Sequence, residues 1–350
     1  MSSPPFVFRA VMGNPIVCQV GRAHGFNFSA RRDTSRTKRS AMNNPETIKL
    51  LQFRAAYNLP VHAGVECGIF ARHGLRVDAA YTPGSLFLSA ALRAGRCDIG
   101  HTGADDVIAD VESTDGSDLF IFMGLHPGLF SLVGAPDCPA VNSLRGKSIG
   151  VDAKTSGLVL VLVKWLQDRG FARDDYELIE VGGWQSRYES LRDGTISATL
   201  LTEPFVENAL NLGGHLLARD FEMIATYQGT CGAASRSWAE RHPDRMMRYI
   251  RAYVEATAWC FARENRPACL DMLARHNDIH GRVAEQTLDA LLDPEHGLYP
   301  RAAVNLPGVI ATIELRAELG YLAQPIPPVQ KYVDLSYYRS ALAIGECEVL

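Results

Sequence analysis

The 350-residue sequence contains no C-x-x-C cysteine pair, no run of about 18 apolar residues and no surplus of basic residues. The first absence excludes the common zinc and thioredoxin spacings, and the second argues against a membrane-spanning helix. Because the formal net charge is −4, the charge balance does not indicate a nucleic-acid partner. We therefore expect no membrane span, no nucleic-acid partner and no cofactor.

The cysteines and the lack of an export signal favour a reducing compartment. Most of the eight cysteines stand beside apolar residues, as in "VECGIF" and "TAWCFA", where cysteine behaves as a small hydrophobe. Neither Met1 nor Met42 is followed by the unbroken apolar stretch of about 7–15 residues that a secretory signal needs. The expected location is therefore cytoplasmic. A wrongly assigned start codon would make a periplasmic location the alternative.

The first 45 residues differ from the rest of the chain. Residues 1–41 contain seven arginines and lysines against one acid, Asp33, and little that a core could bury. Such a segment is typical of a solvated terminus. We expect residues 1–45 to form a disordered basic extension upstream of a start at Met42.

From Thr47 onward, short apolar runs alternate with segments of helical spacing. Strands are predicted at "IKLLQFRA", "LRVDAAYT", "CDIGHT" and "LFIFMGLH", and one helix is predicted through "VHAGVECGIFARHG". The polar connector "PDCPAVNSL" interrupts this rhythm, which restarts at "KSIGVDA". Alternating strands and helices with short connections indicate open α/β sheets, and the restart indicates two lobes of related plan.

Four segments in this order resemble one known family: "GVECGIFARHGLRVD", "TPGSLFLSAALRAGRCDIGHTGADDV", "SLRGKSIGVDAKTSG" and "LLTEPFVENA". It is the NMT1-type family of ABC-transporter solute-binding proteins for sulfonates, taurine and nitrate. The resemblance covers roughly residues 46–325. It implies a type II periplasmic-binding-protein fold, in which two α/β lobes are joined by a hinge and each lobe is an open mixed sheet flanked by helices.

The resemblance also implies how the chain is divided and what it binds. Lobe 1 is expected to contain residues 46–136 and 230–350, including the C-terminal helices, and lobe 2 is expected to contain residues 137–229. The implied function is a clamp that closes on a small organic acid, such as a sulfonate or carboxylate, for ABC-type uptake. The expected partners are this small molecule and a transporter permease, and the protein is expected to be a monomer.

Candidate ligand-binding residues stand where predicted strands end. In open α/β sheets, ligands bind beyond the carboxyl ends of the strands, where following helices present unpaired N–H groups. Thr155 and Ser156 are the strongest candidates, because two adjacent hydroxyls have no evident role in the core. Thr102 has the alternative of a helix cap, and Glu203 that of a hinge or cap residue. The candidates are Tyr57, Asn58, Gly84, Ser85, His101, Thr102, Gly103, Thr155, Ser156, Gly157, Trp184 and Glu203.

Histidines in the same regions raise two further hypotheses. His62, His101 and His126 match no compact metal-ligand spacing, so we expect no metal. An enzyme on the same fold is the alternative to a binding protein: a decarboxylase-, desulfinase- or pyrimidine-synthase-like lyase or hydrolase acting on a small aromatic or sulfur-containing acid. His101 or His126 would then be the proton donor. Binding is favoured because the sequence shows no adjacent nucleophile–base pair.

Overall fold

The computed structural model describes residues 45–343, which form two five-stranded sheets. The first sheet contains β1 (Glu46–Gln52), β2 (Leu75–Tyr81), β3 (Ile99–Gly103), β4 (Leu119–His126) and β10 (Thr230–Ser235). The second sheet contains β5 (Ser131–Gly134), β6 (Lys147–Val151), β7 (Tyr176–Glu180), β8 (Ala198–Leu201) and β9 (His215–Arg219). The strand orders are β2-β1-β3-β10-β4 and β7-β6-β8-β5-β9.

Fourteen α-helices lie among the residues 45–343. Those that follow strands of the two sheets are α1 (Leu59–Glu66), α2 (Ile69–Arg72), α3 (Ser85–Arg93), α4 (Ala104–Ser113), α5 (Gly157–Asp168), α6 (Trp184–Arg192), α7 (Phe205–Asn211) and α8 (Asp220–Met223). The C-terminal region adds α9 (Arg236–Arg241), α10 (Pro243–Phe261), α11 (Arg266–Asn277), α12 (Gly281–Leu291), α13 (Leu306–Glu318) and α14 (Ser336–Leu342).

The helix predicted through "VHAGVECGIFARHG" is divided into α1 and α2. Gly68 lies between them with φ of 66°, in the left-handed region that glycine adopts without steric cost. A helix cannot continue through this conformation, so the chain turns at Gly68 and resumes at Ile69. The apolar spacing predicted helical structure here but not the interruption.

In both sheets four strands run in one direction, and one antiparallel strand lies between two of them. In the first sheet β2, β1 and β3 are parallel, and β10 pairs antiparallel with β3 and β4. In the second sheet β7, β6 and β8 are parallel, and β5 pairs antiparallel with β8 and β9. The α/β class and the mixed sheets flanked by helices are therefore confirmed. Helices α4 and α5 begin at or just beyond the carboxyl ends of parallel strands, where ligands bind in such folds.

The second sheet contains a strand, β5, that the sequence analysis did not predict. Strand β5 pairs with β8, although residues 131–134 precede the expected second lobe at residues 137–229. Four residues are too short a run for the apolar pattern to reveal a strand. The return at Thr230 coincides with the start of β10. The division of the chain into lobes stays a prediction, and the expected N-terminal extension falls almost wholly outside the residues 45–343.

The apolar core joins the two sheets through a shared cluster. This cluster includes Tyr57 beside the first sheet, Leu160 on α5, Leu132 on β5 and Leu288 on α12, all of them buried. A second cluster packs α10 against the first sheet through Tyr249 and other buried side chains. Within the residues 45–343, every helix is too short or too polar to cross a membrane.

A cavity between the two sheets as the candidate functional site

A cavity of about 50 Å³ lies where strand ends of the two sheets meet. Gly103 lies at the junction of β3 and α4, Ser156 precedes α5, and Trp184 begins α6. The cavity is therefore bordered by helix starts from both sheets, as expected for a ligand site in this fold class. Its lining consists of Phe53, Tyr57, Gly103, Asp105, Asp106, Gly128, Asp152, Ser156, Gly157, Leu158, Trp184, Arg187, Tyr227, Gly229 and Thr230.

Hydrogen bonds between residues beside the first sheet and residues beside the second hold the two sides together. The indole Nε1 of Trp184 donates to the Tyr57 hydroxyl at 3.3 Å. The Ala56 amide donates to the Glu203 carbonyl oxygen at 3.3 Å. Gly157 approaches Asp105 so closely that a Cβ at this glycine would collide with the carboxylate side chain. The structure therefore describes a closed arrangement of the two sides.

Arg187 on α6 is a buried cation that forms no salt bridge with the carboxylates of residues 45–343, although Asp152 lies near enough to act on it electrostatically. Its exposure is 2%, one guanidinium nitrogen donates to the Leu200 carbonyl oxygen at 2.9 Å, and Nε has no hydrogen-bond partner among residues 45–343. Its guanidinium carbon lies 4.1 Å from the centroid of the Trp184 ring. Burial lowers the pKa of Arg187, yet an arginine stays protonated in proteins. Because buried charges are normally paired, this side chain is available to an anion in the cavity.

The sequence analysis did not include Arg187 among the candidates. The sequence nevertheless contains a feature that indicates a place for Arg187 in the site, because Arg187 follows Trp184 by three residues. Positions three apart share one face of a helix, so a helix that starts at the cleft with Trp184 also presents Arg187 there. Arginine is usually solvent-exposed, which makes this signal weak until burial is known.

Two adjacent aspartates at the start of α4 have different surroundings. Asp105 is buried and accepts hydrogen bonds from Arg316 at 2.7 and 2.9 Å. Asp106 accepts hydrogen bonds from the Thr102 hydroxyl at 2.7 Å and from the Gly103 amide at 3.0 Å. Burial, reinforced by the neighbouring Asp105 and opposed by the Thr102 hydrogen bond, raises the pKa of Asp106 to about 7. Thr102 thus supports Asp106, and Thr102 itself does not line the cavity.

Ser156 and Thr155, the strongest candidates from the sequence, differ in position. Ser156 is buried, lines the cavity and donates a hydrogen bond to the Asp152 carboxylate at 2.8 Å. The side chain of Thr155 is exposed, and its carbonyl oxygen accepts a hydrogen bond from Arg316 at 3.4 Å. Of these two residues, Ser156 alone belongs to the cavity lining, and a ligand contact stays a prediction for both.

Ser156→Ala is expected to weaken ligand binding about fivefold, whereas Thr155→Ala should leave it unchanged. The physical reason is that Ser156 orients Asp152, and losing one such hydrogen bond costs about 1 kcal/mol. Isothermal titration of both variants with the same ligand measures the difference. Equal losses in the two variants would contradict this assignment.

Several other sequence candidates lie outside the cavity lining. Asn58 is buried and donates to the Phe53 carbonyl oxygen at 2.7 Å. Gly84 and Ser85 are half-buried at the start of α3. Glu203 lines a second cavity of about 230 Å³, and burial raises the pKa of its carboxyl to about 7. Ligand contacts by these residues stay predictions, as they do for Tyr57, Gly103, Gly157 and Trp184, which line the cavity.

The candidate histidines are buried behind the cavity wall. His101 Nε2 lies 2.9 Å from the Tyr249 hydroxyl, and the His126 ring centroid lies 4.5 Å from that of Tyr57. Burial lowers the pKa of both histidines to about 3, so both rings are neutral near pH 7. The ring of His62 on α1 stacks on that of His276 on α11, and neither histidine lines the cavity. The described part of the chain brings together no group of three histidines, cysteines or acids that could hold a metal ion.

The structure has two mixed sheets flanked by helices, with a cavity between them. This architecture matches the periplasmic-binding-protein-like folds. The chain belongs to the NMT1-like family, whose model matches residues 42–274. This confirms the resemblance found in the sequence. A comparison with curated proteins finds no match.

Solved structures with the same fold include three binding proteins. The ligand-binding component of an ABC-type import system from Staphylococcus aureus, solved with zinc bound, has a TM-score of 0.71 at 15% identity, over 85% of this chain and 99% of that one. The alkanesulfonate-binding protein SsuA from Xanthomonas axonopodis pv. citri, bound to MOPS, has a TM-score of 0.68 at 18% identity, over 83% and 99%. The periplasmic nitrate-binding protein NrtA from Synechocystis PCC 6803 has a TM-score of 0.69 at 16% identity, over 87% and 90%.

Proposed function

We propose that this protein is a two-lobed clamp that binds a small organic acid between its sheets and releases it unchanged. The observation that carries the proposal is Arg187, a buried guanidinium that lines the cavity with no carboxylate paired to it among residues 45–343. An acid group of the ligand would supply the missing negative charge. The binding proteins from Xanthomonas and Synechocystis support this function by their shared fold.

The size and the walls of the cavity fit a compact acid. One water molecule needs about 10–15 Å³ of such a volume, so the cavity of about 50 Å³ holds only a few non-hydrogen atoms. Aromatic side chains of Phe53, Tyr57 and Trp184 surround this space. Contacts from both sides exist together only when the clamp is closed, so a ligand that uses both sides stabilises the closed state. A larger acid would be held in a wider arrangement of the same walls.

The enzyme alternative finds little support in the cavity. Among the described residues, its lining contains neither histidine nor cysteine. Neutral His101 and His126 lie behind the wall, and an imidazole with a pKa of about 3 carries no spare proton near pH 7. Burial raises the pKa of the Cys231 thiol, which disfavours a thiolate nucleophile. Binding without turnover is therefore the function that we propose.

A role in uptake implies a partner and a compartment. We propose that the clamp delivers its ligand to an ABC transporter permease, as expected for the ligand-binding component of an import system. Such a receptor must meet its ligand outside the cytoplasm, so the periplasmic alternative fits the proposed function better than the cytoplasmic expectation. The monomeric state stays a prediction.

A matching acid is expected to raise the stability of the full chain by about 2.7 kcal/mol at 100 times its Kd, because it binds only the folded state. A thermal-shift screen with sulfonates, carboxylates and aromatic acids measures this effect, and mass spectrometry then checks each stabilising compound. Recovery of the compound unchanged supports the clamp. A compound consumed over many turnovers would show an enzyme instead, and a screen in which no acid stabilises the chain would contradict an acid-binding site.

A further inference from the structure

A second cavity, of about 230 Å³, lies beside the chain crossover between the two sheets. Residues 127–130 form this crossover, which connects β4 of the first sheet to β5 of the second. Gly128 lines the first cavity, whereas Leu129 and Phe130 line the second. The linings of the two cavities share no residue. The second cavity is therefore a site of its own, and the proposed acid clamp does not use it.

Three carboxyl groups face the second cavity without a salt bridge among residues 45–343. Glu203 accepts a hydrogen bond from a backbone amide of α7 at 3.4 Å, and Asp220 accepts one from a backbone amide of the crossover at 2.9 Å. The carboxylate of Asp293 accepts hydrogen bonds from two amides of the turn that follows it. Arg219 is the single arginine or lysine among the described lining residues, and it is exposed. The lining is therefore richer in negative than in positive groups.

Burial has the effect on these carboxyl groups that is expected when no positive charge lies against them. It raises the pKa of Asp220, and it raises the pKa of Glu203 to about 7. A carboxylate that is removed from water is costly unless a positive group or hydrogen-bond donors compensate it. A cation in the cavity would supply that compensation.

A hydroxyl and an aromatic ring complete the walls. Ser131 is 5% exposed, and its hydroxyl has no hydrogen-bond partner among residues 45–343. Because buried hydroxyls normally have a partner, this group is available to a ligand. The Phe221 ring stacks on that of His296 at 4.1 Å between centroids, yet Phe221 is 43% exposed. Aromatic faces attract cations and pack against hydrocarbon.

We propose that the second cavity binds a small organic cation, in which an ammonium group is attached to a hydrocarbon part. The ammonium would lie against the carboxylates of Glu203 and Asp220 and would donate to the Ser131 hydroxyl. The hydrocarbon part would pack on Phe221. One water molecule takes about 10–15 Å³ of such a volume, so a cavity of about 230 Å³ has room for a ligand of about eight non-hydrogen atoms. A metal ion does not fit, because no three acids, histidines or cysteines in the described part of the chain are placed to hold one.

Benzylamine is the probe, since it carries an ammonium group at pH 8, and benzyl alcohol is its neutral partner of similar size. Isothermal titration of the full chain at pH 8, where the Glu203 carboxyl is mostly ionised, is expected to show one benzylamine per chain. Benzylamine should bind at least tenfold more tightly than benzyl alcohol. Glu203→Gln should lower the benzylamine affinity at least tenfold, because the ammonium loses a carboxylate. Glu177→Gln removes an exposed acid of β7 outside the cavity and should keep the affinity.

Two further variants locate the bound cation. Ala290 on α12 lines the second cavity, so Ala290→Phe places a ring in that space and should lower the benzylamine affinity at least tenfold. Arg187→Met alters the lining of the first cavity alone and should leave the benzylamine affinity unchanged.

The results that would overturn this site are distinct from those that would overturn the clamp. Equal affinities for benzylamine and benzyl alcohol, or an unchanged benzylamine affinity in Glu203→Gln or Ala290→Phe, would contradict the second site. Loss of benzylamine binding in Arg187→Met would place the cation in the first cavity and contradict it as well. The clamp is tested with acids, and benzylamine contains no acid group. Should Glu203→Gln fold poorly, the two probes on the unmodified chain and Ala290→Phe still decide.

Discussion

Arg187→Met is expected to weaken ligand binding by roughly 30-fold to several thousand-fold, which corresponds to the 2–5 kcal/mol lost when one partner of a buried charge pair is removed. Methionine has a similar length and no charge, so the acid group of the ligand would be buried without a partner. Titration with the acid found in the screen measures the loss. Arg187→Lys should retain part of the affinity, because it keeps the charge but loses the planar guanidinium.

The same substitution should leave the free protein about as stable as before. Methionine removes the cost of a buried, unpaired cation, while it also removes the hydrogen bond to Leu200 and the contact with the Trp184 ring. These contributions offset each other, so the melting temperature should change little. Arg192→Met, an exposed position on the same helix, is the control and should leave binding unchanged. Normal ligand affinity in Arg187→Met would place the anion site elsewhere.

Arg316→Met is expected to have the opposite profile, a loss of stability of about 3–5 kcal/mol. The Arg316 and Asp105 side chains are 6% and 3% exposed, and the guanidinium donates to both carboxylate oxygens. Without Arg316, the Asp105 carboxylate would remain buried with no positive charge beside it. Urea denaturation at pH 8 measures the loss. Arg266→Met, which breaks an exposed network with Glu285 and Asp289, should cost no more than about 1 kcal/mol.

The stability loss of Arg316→Met should depend on pH with a definite sign. Burial raises the pKa of Asp105, and Arg316 opposes that effect in the unmodified protein. In the variant the folded-state pKa therefore lies further above the unfolded value of about 3.9, so stability is lost as the pH rises above that value. We expect a smaller loss at pH 5 than at pH 8. Adding Asp105→Asn should recover part of the loss at pH 8, and a loss independent of pH would contradict this account.

Local patterns in the sequence predicted much of the framework correctly. The buried run "LFIFMGLH" became β4, with all eight residues buried, and Pro243 begins the long helix α10. The alternation of strands and helices predicted two α/β sheets, because strand and helix periodicities are local properties of the chain. The break at Gly68 and the strand β5 are among the features that escaped this reasoning. Both depend on a single residue or a run of four, which carries too little periodic signal.

The strand-end rule selected some residues that line the cavity and others that do not. The strand-end rule led to Gly103, Ser156, Gly157 and Trp184, and all four line the cavity between the sheets. The same rule also selected Thr155, whose side chain points to solvent. Adjacent residues at a helix start point in different directions, so proximity in sequence cannot decide which one faces a ligand.

The sequence by itself determined the fold class and the family, because both depend on local periodicity and motif order. Only the tertiary structure decided which charges are neutralised. Arg316 reaches Asp105 across 211 residues of sequence, while Arg187 remains buried and forms no salt bridge with a carboxylate of residues 45–343. Two arginines look alike in a sequence, and their roles diverge only when the fold supplies a carboxylate to one and a cavity to the other.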